Sequence, residues 1–291
     1  MSSLTAPMSN LTAPNLSVAA ANGIEYAYRR FGRTGGTPVL FLHHFRANLD
    51  NWDPALVDDI AAEHDVILLD HAGVGGSTGE TPRSVAAMAT DAIAFVEALE
   101  LTSVDLFGFS LGGMVAQELV LRRPYLVRRL VLASTAPEGG RGIHAFAKDV
   151  ADALFRDVQS ADDVLYLFFS PSEESRHKGG EFLTRIFTRS EGRDADVSLA
   201  TRDAQIEALS AWGVPDTTRL NRLAGITQPT LVANGDQDRL LPIPNSYLLA
   251  GHIPNARLAI YPDAGHGFLF QHPHEFAAET VRFLSDPRVV R

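Results

Sequence analysis

The stretch Asp105-Leu-Phe-Gly-Phe-Ser-Leu-Gly-Gly-Met114 places a serine between glycines, after an apolar run and before a helix-like pattern. The residues from Val104 to Gly108 predict a strand, and those from Leu111 to Leu121 predict a helix. In a Gly-X-Ser-X-Gly pattern at such a junction, the chain turns sharply and exposes the serine hydroxyl. The stretch therefore predicts an α/β fold with Ser110 as a candidate nucleophile.

The same five-residue pattern occurs a second time, at residues 75–79, with Ser77 at its centre. Ser77 lies well beyond the preceding predicted strand, which ends at Asp70, and no helical pattern follows it. We interpret the surrounding segment as a glycine-rich loop. A dinucleotide fingerprint beginning at Gly73 would require glycine where Thr78 stands, and no Gly-Lys pair is present for a P-loop. Both common phosphate-binding motifs are therefore excluded.

The composition is that of a folded, acidic chain. Its 291 residues are 45% apolar, and 25 basic against 35 acidic residues give a net charge of −10. Nucleic acid is therefore an unfavourable partner. The absence of cysteine excludes disulfides, thiolate metal sites and a cysteine nucleophile. The first sixteen residues do not resemble a signal peptide, and no apolar run approaches the roughly 18 residues of a membrane span, so we expect a cytoplasmic protein without membrane attachment.

Short β-rich runs alternate with helical patterns, which is typical of a mostly parallel sheet flanked by helices. The alternation stops after Ala136, where the sequence becomes helical and rich in phenylalanine. We interpret residues 137–222 as a helical lid inserted between strands 6 and 7 of the sheet. Residues 16–136 and 223–291 then form the core, and residues 1–15, with a repeated Leu-Thr-Ala-Pro, form a flexible leader.

The remaining predicted elements follow from the same patterns. A hairpin is predicted from Leu16 to Phe31 because Asn22-Gly23 is a strong turn signal. Further strands are predicted from Val39 to Leu42, Val66 to Asp70, Leu130 to Ala133, Thr230 to Ala233 and Leu258 to Tyr261, and further helices from Pro54 to Glu63, Ser84 to Glu100 and Pro273 to Leu284.

A serine hydroxyl needs a base to accept its proton, and the base needs an acid to hold it. His266 lies just past the last predicted strand between two glycines, so its side chain can enter a cleft. The strand that ends near Asn234 is followed by Asp236 and Asp238, and either carboxylate satisfies the spacing. All these groups then stand at the carboxyl ends of parallel strands, where such sheets place their sites.

Together, these features resemble the α/β-hydrolase superfamily, specifically its lid-bearing serine hydrolases: esterases, lactonases, C–C hydrolases and cofactor-free haloperoxidases. The resemblance extends from the hairpin to the last helix. It implies that Asp238, three residues after the strand-end glycine, is the acid, and that the main-chain amides of Phe45 and Leu111 form an oxyanion hole. The chain departs from the family pattern at His44, where glycine is usual. No cofactor is implied, and adjacent His43 and His44 on a strand would point to opposite faces, which argues against a metal site.

The resemblance implies a serine hydrolase that cleaves an ester or a lactone of a medium-sized, largely apolar small molecule through an acyl-enzyme on Ser110. The same triad serves C–C hydrolases and perhydrolases, and a ligand receptor on a hydrolase scaffold is an alternative of another class. The edge strands and the lid could each support a homodimer, and the sequence does not decide the oligomeric state. Candidate substrate contacts are His44, Arg46, Phe169 and Trp212.

Overall fold

The computed structural model describes residues 8–287, which form a sheet of eight strands with helices around it. The strands are β1 (Leu16–Ala19), β2 (Glu25–Gly32), β3 (Val39–Leu42), β4 (Asp65–Leu69), β5 (Val104–Phe109), β6 (Val127–Ala133), β7 (Thr230–Gly235) and β8 (Ala256–Tyr261). The helices are α1 (Pro54–Ala61), α2 (Val85–Ala98), α3 (Leu111–Arg122), α4 (Lys148–Leu154), α5 (Ala161–Phe168), α6 (Glu173–Ile186), α7 (Leu199–Trp212), α8 (Pro244–His252), α9 (Phe268–Gln271) and α10 (Pro273–Ser285).

The strand order is β1-β2-β4-β3-β5-β6-β7-β8. β1 pairs with β2 and β2 pairs with β4 in antiparallel fashion, whereas every later neighbour pairs in parallel. The central strands β3, β4 and β5 are buried along their whole length, which is why they are continuous apolar runs and do not alternate. The predicted α/β architecture with a mostly parallel sheet is confirmed.

The helices flank this sheet and begin where their capping residues predict. α2 packs against α3, and α1 packs against α10. Asp53 accepts a hydrogen bond from the Ala55 amide at the start of α1, and Ser84 accepts one from the Ala87 amide at the start of α2. No helix within residues 8–287 combines the length and the hydropathy that crossing a bilayer requires.

Four helices, α4 to α7, lie between β6 and β7 in the chain, although these two strands are neighbours in the sheet. This is the segment that the sequence predicts to be an insertion. The helix α8 is absent from the sequence-based expectations, because Pro244 and a short, weakly amphipathic run give little periodic signal.

The expectation of a flexible leader is wrong for residues 8–15, and residues 1–7 lie outside the described part of the chain. Asn10 and Ala13 are buried. The guanidinium of Arg189 donates to the carbonyl oxygens of both, each at 2.9 Å. The guanidinium of Arg29 donates to Asn15 Oδ1 at 2.7 Å and to Asp50 Oδ1 at 2.7 Å. Buried arginines need acceptors, and this amino-terminal segment supplies several of them.

Two carboxyl groups, those of Asp70 and Asp194, lie close together where the segment between α6 and α7 contacts the loops after β3 and β4. Asp70 accepts main-chain hydrogen bonds from Leu49 at 3.0 Å and from Gly76 at 3.2 Å. Burial raises the pKa of Asp70 well above its ordinary value, and the Asp194 carboxyl raises it further. Burial, followed by the charge of Asp50, also raises the pKa of Asp194. Two neighbouring carboxyls, one buried and one half-buried, cannot both ionise cheaply, which favours the protonated form of one of them.

We expect Asp194→Asn to stabilise the protein at pH 8. Both carboxyls have a raised pKa in the folded chain, so folded-state stability falls as pH rises above about 4, the ordinary aspartate pKa, towards the raised values. An amide donates to Asp70 without needing that proton. The melting temperature at pH 8 should rise by about 2–4 °C and depend less on pH. The control is Asp196→Asn, which makes the same substitution at an exposed site. A melting temperature of Asp194→Asn at pH 8 that equals or falls below that of the native protein would contradict the protonated pair.

Candidate active site

The Ser110 main chain occupies a strained corner between β5 and α3. Its φ is +55° and its ψ is −117°, a conformation that residues other than glycine rarely adopt. Two hydrogen bonds hold the corner: the Ser110 amide donates to the Ala133 carbonyl at 3.0 Å, and Thr135 Oγ1 donates to the Ser110 carbonyl at 2.7 Å. The side chain of Ser110 lines a cavity at the carboxyl ends of the strands.

The glycines of the Ser110 pattern are required by close backbone packing. A Cβ added at Gly112 would lie 2.0 Å from the Leu42 carbonyl oxygen, and one added at Gly108 would lie 2.6 Å from Gly113 Cα. These distances are shorter than any contact that a carbon atom tolerates. The first turn of α3 is therefore pressed against the ends of β3 and β5, which fixes the position of the serine.

Ser77, the second serine with this pattern, has a different environment. Its hydroxyl donates to the Asp70 carbonyl at 2.7 Å and accepts from the Ala27 amide at 2.8 Å. The hydroxyl therefore both donates and accepts a hydrogen bond within the fold. Ser77 therefore joins its loop to β2 and is not a candidate nucleophile.

The structure brings His266 and Asp238 together. His266 Nδ1 lies 2.8 Å from Asp238 Oδ2, and both side chains are buried. The other oxygen, Asp238 Oδ1, accepts from the amides of Leu240 at 2.8 Å and Leu241 at 2.9 Å. Because the carboxylate accepts, Nδ1 carries the proton and Nε2 is left as an acceptor. His266 lines the same cavity as Ser110.

Asp236, the alternative acid, does not reach the histidine. It is exposed, and its Oδ1 accepts from the Ala264 amide at 3.4 Å. The loop that carries His266 is tied down elsewhere, since Ser134 Oγ donates to the His266 carbonyl at 2.8 Å and the Gly267 amide donates to the Phe168 carbonyl at 2.7 Å. The carboxylate beside His266 is thus that of Asp238.

The two amides expected to form an oxyanion hole lie at the ends of adjacent elements. Phe45 follows β3 and lines the cavity, and Leu111 is the first residue of α3. Within residues 8–287, no protein acceptor is hydrogen-bonded to either main-chain N–H group. The amino terminus of a helix also carries a partial positive charge, which favours an anion beside Leu111.

The cavity has a volume of about 140 Å³ and is mostly apolar. Besides the residues already named, Asn51 and Gln159 contribute polar groups to its wall. Its apolar wall is formed by Phe146, Leu154, Val164, Phe168, Phe182, Leu183, Ile186, Phe187 and Leu209 from the insertion, with Leu240 and Leu241 after β7.

Two of the four predicted substrate contacts lie outside this cavity. Phe169 is buried against Phe182, with ring centroids 6.0 Å apart, and Trp212 Nε1 donates to the Ala136 carbonyl at 3.2 Å. Neither residue lines the cavity. Phe168, the last residue of α5, faces the cavity in place of its neighbour, because adjacent residues at a helix end point in different directions.

Arg46 does line the cavity, but its polar groups are engaged with the insertion. Its amide donates to Gln205 Oε1 at 2.8 Å. Its guanidinium donates to the carbonyl oxygens of Arg156 at 2.6 Å and Asp157 at 2.9 Å. Arg46 thus joins the loop after β3 to the connection between α4 and α5.

The rings of His43 and His44 lie 6.5 Å apart in edge-to-face contact, and each also packs against other aromatic rings. The His43 ring stacks on Trp52 with centroids 4.9 Å apart, whereas the His44 ring packs edge-on against Phe109 at 5.0 Å. Burial lowers the pKa of His43 well below its ordinary value, so this ring is neutral. Among residues 8–287 there is no group of three or more side chains arranged to hold a metal ion.

Comparison with known proteins agrees with this architecture. The sequence profile of the family described as alpha/beta hydrolase fold matches residues 37–273. This chain belongs to the α/β-hydrolase family. It is 30% identical over 275 residues to the poly(3-hydroxyalkanoate) depolymerase of Ectopseudomonas oleovorans, and the match covers 89% of this chain and 88% of that protein.

Solved α/β-hydrolase structures superpose over nearly the whole chain. An alpha/beta hydrolase fold protein from Chitinophaga pinensis is 35% identical with a TM-score of 0.90, and 96% of this chain covers 100% of that one. A structure described as an N-acyl homoserine lactone degrading enzyme is 27% identical with a TM-score of 0.73, covering 91% of this chain and 98% of that chain. The α/β-hydrolase fold predicted from the sequence is confirmed.

We expect Gly112→Ala to destabilise the protein strongly, because its methyl group would overlap the main chain of β3. Neighbouring backbone cannot move without displacing the sheet, so a loss of about 3 kcal/mol or more is expected. The control is Gly180→Ala, at an exposed position within α6 where an added Cβ meets nothing within 4 Å. That change should stabilise the helix by about 0.5–1 kcal/mol. Urea unfolding of both variants measures the difference, and a mild effect of Gly112→Ala would contradict the close packing of the corner.

Proposed function

We propose that this α/β-hydrolase is a serine hydrolase that cleaves an ester or a lactone through an acyl-enzyme on Ser110. The observation that carries the proposal is the 2.8 Å contact between His266 Nδ1 and Asp238 Oδ2, behind a histidine that shares a cavity with Ser110. A histidine held in this tautomer can accept a proton at Nε2. A serine at a strained corner has no evident structural use, which also supports a catalytic role.

In the first half of the reaction, Ser110 Oγ attacks the carbonyl carbon while its proton passes to His266 Nε2. The carbonyl π electrons move to oxygen, and the amides of Phe45 and Leu111 donate to the resulting oxyanion. When the tetrahedral intermediate collapses, the bond from carbon to the leaving oxygen breaks, and that oxygen takes the proton from Nε2. The product is an acyl-enzyme plus an alcohol, which stays attached to the acyl chain when the substrate is a lactone.

Water completes the cycle by the same route. His266 Nε2 removes a proton from water as the oxygen attacks the acyl carbon, and the same two amides receive the second oxyanion. Collapse then breaks the bond to Ser110 Oγ, which recovers its proton from Nε2. Throughout, the negative Asp238 stabilises the positive imidazolium and keeps its orientation. The chemistry of these residues requires no metal or cofactor.

The apolar cavity wall supports a medium-sized, largely apolar substrate. We assign residues 137–222 the role of a lid, because most of the apolar wall belongs to this insertion. The relatives include a poly(3-hydroxyalkanoate) depolymerase and a structure described as an N-acyl homoserine lactone degrading enzyme. Ester and lactone substrates for this chain agree with both.

We expect Asp238→Asn to lower kcat for p-nitrophenyl ester hydrolysis by about 10⁴-fold, by analogy with the serine-protease triad. An asparagine amide would favour the wrong histidine tautomer. The matched control is Asp236→Asn, two residues away, which makes the same change to a carboxyl group that does not touch His266. Ser110→Ala should abolish the reaction while leaving the thermal melting curve nearly unchanged. Full activity in Ser110→Ala, or a loss in Asp236→Asn equal to that in Asp238→Asn, would contradict the assigned roles.

A further inference from the structure

The end of α5 packs directly on the loop that carries His266. The Gly267 amide donates to the Phe168 carbonyl at 2.7 Å, and the Phe168 ring lies edge-on to the His266 ring with centroids 5.3 Å apart. A Cβ added at Gly265 would lie 2.6 Å from the Phe168 carbonyl oxygen, and one added at Gly267 would lie 3.0 Å from the Phe168 side chain. The two glycines beside His266 therefore leave the space that this part of the insertion occupies.

Two serines between α5 and α6 extend this contact to Asp263, which lies between β8 and His266. Ser170 Oγ donates to Asp263 Oδ1 and Ser172 Oγ donates to Asp263 Oδ2, each at 2.6 Å. The bond from Ser170, followed by that from Ser172, lowers the pKa of Asp263 below its ordinary value, so the group accepts as a carboxylate at neutral pH. Asp263 has a φ of +50°, a left-handed conformation that persists only where surrounding contacts hold it. We call these two hydrogen bonds the latch.

Further hydrogen bonds join the same two segments of the chain. Gln271 Nε2 donates to the Asp263 carbonyl oxygen at 2.9 Å, and Ser175 Oγ donates to Gln271 Oε1 at 2.6 Å. The Ser170 amide in turn donates to Ser175 Oγ at 2.9 Å. The insertion is thereby bonded to the histidine loop on both sides of His266, at Asp263 before it and at Gln271 after it.

Resting on the hydrolytic function proposed above, we propose that the latch holds His266 in position for proton transfer, and that Asp263 is a positioning residue that acts through the histidine loop. A proton passes between Ser110 Oγ and His266 Nε2 only within hydrogen-bond reach, and a misplacement of about 1 Å can cost about a hundredfold in rate. The insertion thus contributes to turnover through the base as well as through the apolar wall of the cavity.

The test removes the latch from the side of the insertion. Ser170→Ala/Ser172→Ala abolishes both hydrogen bonds and leaves Asp263, which is exposed, in contact with water. Ser172 also caps α6 by accepting from the Ser175 amide at 3.1 Å, so the matched control is Ser198→Ala, which removes the corresponding cap of α7. Asp263→Asn is the conservative variant, because its amide group can still pair with both hydroxyls and asparagine tolerates a positive φ.

Hydrolysis of p-nitrophenyl acetate, whose acetyl group is too small to need the whole apolar wall, gives kcat and KM. In Ser170→Ala/Ser172→Ala, kcat and kcat/KM should fall together by about tenfold, because the base acts in both halves of the reaction. Ser198→Ala and Asp263→Asn should keep kcat within about twofold of the native value. If thermal melting shows that the double variant does not fold, Ser170→Ala alone removes one bond of the latch and should lower kcat by about threefold.

The position of the base is measured separately, without turnover. The NMR signal of the proton on His266 Nδ1 is recorded in protein labelled with nitrogen-15 histidine and is identified by its absence in His266→Gln. We expect it to shift or broaden in Ser170→Ala/Ser172→Ala and to stay unchanged in Ser198→Ala.

The two measurements distinguish failure of the latch from failure of the proposed function. If the native protein shows no turnover that depends on Ser110, the proposed function is contradicted for this ester, and the NMR comparison alone decides the role of the latch. An unchanged NMR signal in the latch variant would overturn that role. Where the native protein does turn over, so would a native kcat in the latch variant, a change in KM alone, or an equal loss of kcat in Ser198→Ala.

Discussion

The fold of this protein depends at its centre on the close approach of α3 to the ends of β3 and β5. Gly108 and Gly112 have no room for a Cβ, and between them Ser110 is held at φ +55°. Such strain persists only where the surrounding packing over-determines it, and here the buried sheet supplies that packing. The same packing brings the hydroxyl of Ser110, the amide of Leu111 and the start of α3 close together, so the corner positions the proposed nucleophile and one of the two proposed oxyanion donors.

The rest of the site follows from the parallel sheet. Because β3, β5, β7 and β8 run in the same direction, the loops after them meet at one edge and bring Phe45, Ser110, Asp238 and His266 to one region. The loops after the strands carry the proposed reacting groups, and the insertion between β6 and β7 supplies most of the apolar wall of the cavity. The proposed reacting groups and most of the apolar cavity wall therefore belong to different parts of the chain, an arrangement by which one fold serves many substrates.

The sequence predicts the parts that depend on local pattern. Every predicted strand is present, and the ends differ by three residues at most, at β6. Ser110 and His266 can be predicted from the sequence because each lies shortly after the end of a predicted strand. Features that depend on contacts between residues far apart in the chain cannot be predicted from local sequence patterns. The amino-terminal segment is ordered by Arg189, which is 176 residues away from Ala13, and the choice between Phe168 and Phe169 depends on the rotation of α5 against the cavity.

The activation of Ser110 is tested most directly by covalent labelling. The folded native protein is incubated with an alkyl fluorophosphonate, which phosphonylates activated serines with loss of fluoride, and intact-mass measurement is followed by peptide mapping. A single adduct on Ser110 that is absent in Ser110→Ala is the expected result. A folded protein that stays unmodified, or an adduct on Ser77 or another residue, would contradict the assignment of Ser110 as the nucleophile.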